Sequence, residues 1–167
     1  MVSAAALSEY LVDRAGWLFA SGAPDEALAV AATRRRVLGI GGGTVLKPAG
    51  RVWRLGVVLL DRDGRLFATG SVTRAAEQRQ HGYTSVSAAE RSAVRALAAD
   101  AFAPGEVVNY DAELLTLDAG RRNSFGPLRI SDDGDVLVEW ARGGGLVDFE
   151  KYLAERATLL VGGAGPS

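Results

Sequence analysis

His81 is the sole histidine of this 167-residue chain, so any chemistry that needs an imidazole must be built around it. It stands in Arg74-Ala75-Ala76-Glu77-Gln78-Arg79-Gln80-His81-Gly82-Tyr83-Thr84-Ser85, where one base, two arginines and three hydroxyls share a polar connection. Long connections are where functional groups concentrate. An imidazole within reach of Tyr83 or Ser85 would suit metal-independent hydrolysis of a small amide or ester. Arg74 would supply a cation beside it. The competing reading of the same residues is a solvated loop with an exposed ring.

A second candidate follows the basic run Arg34-Arg35-Arg36, where Gly39-Ile40-Gly41-Gly42-Gly43 could present backbone N–H groups to an anion or nucleotide. Arg36, Gly41 and Gly42 are the residues that would hold it. The phosphate-binding pattern that ends in Gly-Lys-Ser/Thr is missing, and Thr44 stands where the dinucleotide fingerprint needs its last glycine. Glycine clusters also simply punctuate the chain. Asn109, Tyr110 and Asp111 interrupt an apolar stretch and could either line a pocket, with Asn109 and Asp111 as ligand contacts, or form a bulge. Asp61 with Asp63 resembles the start of a calcium loop, but Arg65 occupies the next ligand position and no glutamate closes it. Asp132, Asp133 and Asp135 fail in the same way, so both groups read as turn residues. No metal site and no cofactor is expected.

The elements that must position these groups read as follows. A helix opens near Ser3 and runs to about Ala20, with Leu7, Tyr10, Leu11, Trp17 and Leu18 on its inner side and Ser21-Gly22 as its stop. Pro24 suits the first turn of a second short helix, with Asp25 and Glu26 at its positive end and the three arginines at its negative end. Thr44 to Lys47 reads as a short extended piece before a turn at Ala49-Gly50. Val52 to Leu60 reads as one strand, apolar on both faces, turned by Asp61-Arg62-Asp63-Gly64 into a partner strand from Arg65 to Thr73.

Ser87-Ala88-Ala89-Glu90 is the pattern of a capping box. The helix it predicts runs to about Phe102 and buries Val94, Leu97, Ala98 and Ala101. A broken strand follows from Val107 to Leu117. A second hairpin pairs Leu128–Ser131 with Asp135–Ala141 through Asp132-Asp133-Gly134. A last helix is expected from Leu146 to about Leu160, and a disordered tail from Gly162 to Ser167. Two hairpins with intervening helices, and no regular strand–helix alternation, predict an α+β fold. Its sheet is antiparallel or mixed, with helices packed on it, in a single domain over residues 1–161.

The totals narrow the class. A hydrophobic fraction of 48% and a charged fraction of 23% suit a globular chain, and a net charge of −1 gives no general attraction for nucleic acid or anionic membrane. The chain is cysteine-free, which excludes disulfides and thiolate catalysis. Met1-Val2-Ser3-Ala4 lacks the basic start of a signal peptide, and no apolar run approaches the roughly 20 residues of a bilayer span. A cytoplasmic protein is expected.

Two resemblances follow from longer stretches. The segment LGVVLLDRDGRLFATG is similar to the opening strands of Nudix hydrolases, but the helix after it lacks their clustered carboxylates, having only Glu90 and Asp100 with Arg91 and Arg95 between. The segments VWRLGVVLLDRDGRLFATGSVTRA, GYTSVSAAERSAVRALA, GEVVNYDAELLTLD and FEKYLAERATLL resemble a group of small actinobacterial, hence bacterial, proteins of unassigned function. Some of that group carry the label glutaminase. A serine-dependent glutaminase would need Ser-x-x-Lys, and neither Lys47 nor Lys151 stands three places after a serine; an amidotransferase type would need a cysteine.

The reading leans away from catalysis, toward a small ligand-binding or protein-interaction module. Its partner would be an unidentified small molecule or a protein, not nucleic acid or membrane, and a homodimer is one form it could take. The alternatives are the hydrolase at 74–85 and the anion or nucleotide site at 34–43.

Overall fold

The computed structural model describes residues 1–33, 43–76, 86–116, 126–141 and 143–163. In chain order the elements are α1 (Leu7–Ala20), β1 (Glu26–Thr33), β2 (Thr44–Leu55), β3 (Val58–Asp61), β4 (Leu66–Ala68), β5 (Ser71–Arg74), α2 (Val86–Ala99), β6 (Val107–Tyr110), β7 (Glu113–Leu114), β8 (Leu128–Ile130), β9 (Val136–Glu139), β10 (Leu146–Asp148) and α3 (Phe149–Gly163). The fold is α+β. Its residues gather into two compact units, one of Met1–Asp25, Val52–Thr69 and Glu113–Ser167, the other of Glu26–Arg51 and Gly70–Ala112.

In the first unit the end of β2 pairs with β3, β3 with β4 and β4 with β7, all antiparallel. A separate antiparallel sheet has the order β10-β9-β8. Leu7, Leu11, Ala15 and Leu18 recur at helical spacing and are buried on α1, as are Phe149, Tyr152, Leu153 and Ala157 on α3. They share one core with Trp53, Leu55, Val58 and Leu60 from the strands. Trp17 does not join it: the indole is 40% exposed and lies beside the Arg14 guanidinium, 5.4 Å from the ring centre. Ser3 is not the cap either, because α1 begins at Leu7; its Oγ accepts the Ala6 N–H at 3.3 Å one turn earlier.

The apolar run from Val52 to Leu60 is two strands, not one. The chain reverses at Gly56-Val57, so that Leu55 faces Val58 and Trp53 faces Leu60. Gly56 makes the reversal feasible. Its φ of 68° suits the first loop position of a two-residue hairpin of the Gly-X kind, and the Val57 N–H donates to the Tyr152 hydroxyl at 3.0 Å. The run is apolar on both faces because each half is buried in its own right. The Asp61–Gly64 turn does join β3 to β4, but the expected partner strand ends at Ala68; Ser71–Arg74 is a separate strand, β5, paired with β6. The β8–β9 hairpin forms as expected. Leu146–Asp148 is the edge strand β10, so the last helix starts at Phe149, and it runs on through Gly162 and Gly163.

Tyr10 links α1 to α3 by donating its hydroxyl to the Glu150 carbonyl at 3.1 Å. Burial pushes this phenol above the ordinary tyrosine value, with Arg14 pulling partly the other way. Its folded value therefore exceeds its unfolded one, so the contribution is complete below about pH 10 and is lost as pH rises through the higher folded value. The expected result is an alkaline loss of stability that Tyr10→Phe reduces. Identical alkaline profiles for the two proteins would refute it.

In the second unit β5 and β6 are antiparallel, β6 and β1 parallel, and β1 lies next to β2. Residues 26–33 are thus a strand, where a helix is expected from Pro24 and the dipole-ordered charges. Thr44–Leu55 is one continuous strand through Pro48 and Gly50, where a short piece and a turn are expected. Helix α2 packs on this sheet, and its buried Ala98 meets Ala27, Ala29, Leu46, Ala75 and Val108. It begins at Val86, so Ser87 lies inside the helix and is not its cap. It ends at Ala99, and Ala101, expected inside, is exposed.

Candidate anion-binding groove

Arg91 and Arg95 stand four residues apart on α2, one turn above each other on the same side, and both are exposed. Glu90 and Val94 form the neighbouring row. At the edge where α2 meets β5 and β6, these four residues and Val72, Thr73 and Arg74 of β5 with Val107 and Tyr110 of β6 line a groove of about 570 Å³. That volume falls in the range of small-molecule sites.

Arg74 is steadied from below. Its Nη1 donates to the Gly105 carbonyl at 2.9 Å, and that turn is tied to β5 by Gly105 N–H to the Ala75 carbonyl and Ala75 N–H to the Glu106 carbonyl. Glu106 in turn pairs with Arg51. Arg91 and Arg95 have no carboxylate partner among the described residues. Two like charges at this helical spacing cost a few tenths of a kcal/mol unless something of opposite sign sits beside them. The lining therefore holds three arginines against the single carboxylate of Glu90, with Val72, Val94, Val107 and Tyr110 as its apolar part.

Successive side chains of a strand point to opposite faces, and this separates the residues expected to act together at 109–111. Tyr110 faces α2 and lines the groove. Asn109 faces away; it is buried, with its Nδ2 donating to Glu26 Oε2 at 2.8 Å and to the Ala27 carbonyl at 3.2 Å. Its amide ties β6 to β1 and lines no pocket with Tyr110. Asp111 takes the left-handed conformation, φ 55°, that ends β6; its place there is that of a turn residue. His81, Tyr83 and Ser85, and also Arg36, Gly41 and Gly42, lie outside the described residues. Of the candidates read from the sequence, Arg74 lies in the groove.

Arg91 and Arg95 are read in the sequence only as residues that keep two carboxylates apart. Their spacing was the available signal: an i, i+4 arginine pair without acidic residues at i±4 is a cationic stripe on any helix. What the spacing could not give is Arg74, seventeen positions before Arg91, which only the packing of α2 on β5 brings to the same groove. Among the described residues no three His, Cys, Asp or Glu side chains converge on a common point, and no helix is long and apolar enough to cross a membrane. Comparison with family models, with curated proteins and with solved structures finds no match to this chain.

Proposed function

We propose that this chain is a non-enzymatic ligand-binding module that holds a small anion in the groove between α2 and the β5–β6 pair. The carrying observation is the imbalance of three arginines, Arg74, Arg91 and Arg95, against Glu90 around one concave, partly apolar surface. In a chain whose overall charge is −1, such a patch is local and not a by-product of a basic composition. Guanidinium groups suit binding more than turnover, because they donate hydrogen bonds in a fixed fork but accept no proton at ordinary pH. Carboxylates and phosphates match that fork two bonds at a time.

Calorimetric titration with inorganic phosphate and with succinate tests the reading. Binding is expected for at least one of them, and it should weaken as added salt screens these exposed cations. Arg91→Ala and Arg95→Ala should each lower affinity about ten-fold, the size of one lost charge-assisted contact. Both residues are exposed, so the variants should fold as the parent does. Absence of binding, or unchanged affinity in the double variant, would remove the proposal.

A further inference from the structure

We infer that the groove takes a phosphate monoester carried on an aromatic ring. This rests on the anion reading above and specifies its ligand. Three features of the groove favour such a ligand. The first is charge: with Glu90 offset, two positive charges remain along the lining, which matches the −1.5 to −2 carried by a phosphate monoester near neutral pH. A monocarboxylate would leave one cation unanswered.

The second is shape and polarity. An inorganic ion could engage the arginines, yet it would leave the apolar part of the lining, Val94 and Tyr110 among it, in contact with water within a groove of about 570 Å³. Drug-sized ligands gain most of their burial from such apolar walls, while a few polar groups fix their orientation. A ligand with an apolar body behind its charged group fills both parts.

The third is Tyr110. One part of this residue packs against the core that includes Ala98 and Val108, and it also lines the groove. A ring held from behind is a pre-ordered stacking surface, since little side-chain freedom remains to be lost when another ring settles on it. Arg91 and Arg95 can meet the phosphoryl oxygens, and Arg74, already fixed on the Gly105 carbonyl, offers its remaining donors. No covalent step is involved.

The test is titration of the intact chain with inorganic phosphate, glycerol phosphate, phenyl phosphate, adenosine monophosphate and adenosine. Phenyl phosphate and adenosine monophosphate should bind about ten-fold more tightly than glycerol phosphate, from ring stacking, and adenosine should not bind measurably. Tyr110→Leu should bring the two aromatic esters down to the level of glycerol phosphate, while Arg91→Ala with Arg95→Ala should weaken all the phosphates together. Equal affinity for aromatic and aliphatic esters in the parent protein would overturn this inference and leave the anion site standing. The parent comparison decides the point even if Tyr110→Leu fails to fold. If none of the phosphates binds, or all bind undiminished without the two arginines, both the inference and the site are wrong. Succinate binding as tightly as phenyl phosphate would also overturn it, since a dianion alone would then suffice.

Discussion

Gly70→Ala is expected to destabilise the protein by about 3 kcal/mol, the upper end of overpacking costs, and to lower Tm by roughly 6–12 °C for a chain of this size. A methyl group placed on Gly70 would lie 2.1 Å from the Asp111 carbonyl oxygen, 2.3 Å from its carbon and 2.5 Å from the Tyr110 carbonyl oxygen. All three are backbone atoms, so no side chain can swing aside to make room. They belong to the end of β6, where Asp111 already holds a left-handed φ of 55°. The close approach lets β5 begin at Ser71 opposite Tyr110, and so it sets the register that places Val72, Thr73 and Arg74 along the groove. Asp111→Gly is the matched control. Glycine adopts that φ without strain, so its change in stability should stay within about 1 kcal/mol. Urea denaturation of the two variants beside the parent makes the comparison. A midpoint for Gly70→Ala close to the parent's would show that the turn yields easily and that the register argument is wrong.

The same contrast between local and distant causes decides what could be read beforehand. Turns whose geometry is written into a few adjacent residues are legible: Asp132–Gly134 joins β8 to β9 as expected, and Asp61–Gly64 forms a turn where expected, although the strands it joins, β3 and β4, are shorter than expected. The failures lie where a segment's state depends on its neighbours in space. Residues 26–33, Glu-Ala-Leu-Ala-Val-Ala-Ala-Thr, are rich in the best helix former, and flanking charges ordered for a helix dipole strengthen that impression. The segment is a strand because β6 and β2 flank it; strand preference is mostly a fit to such surroundings. Ala27 and Ala29 are buried in the core beneath α2, where their small size lets the layers approach. Val52–Leu60 fails for a different reason. Gly56 was visible, but a glycine within an apolar run signals a bulge or a close approach as readily as a reversal. Tyr152, which receives the Val57 N–H, lies ninety-five positions from it. The groove has the same property. Its helical half is a stripe that the spacing of Arg91 and Arg95 displays, while its sheet half exists only through pairing of β5 with β6.

Asp61→Ala should cost about 3 kcal/mol, whereas Asp61→Asn should cost about 1 kcal/mol, and the gap between them identifies what the carboxylate does. Asp61 is 4% exposed. Its Oδ1 accepts the Asp63 N–H at 2.9 Å and the Arg65 N–H at 2.8 Å, and its Oδ2 accepts Arg65 Nε at 2.6 Å. Both oxygens are therefore engaged by the turn. Alanine would strand two backbone donors in a tight reversal, at roughly 1–3 kcal/mol for each donor left unsatisfied. Part of that is recovered where water reaches the turn. Asparagine keeps an acceptor for both N–H groups and gives up only the ion pair. That pair contributes little, because the Arg65 side chain is 56% exposed and solvent screens it. Equilibrium unfolding in urea, at low and at raised salt, separates the two contributions: the alanine deficit should persist in salt, while the asparagine deficit should shrink toward zero. Equal losses for the two variants would mean that the charge, and not the acceptor geometry, holds β3 to β4 at this turn.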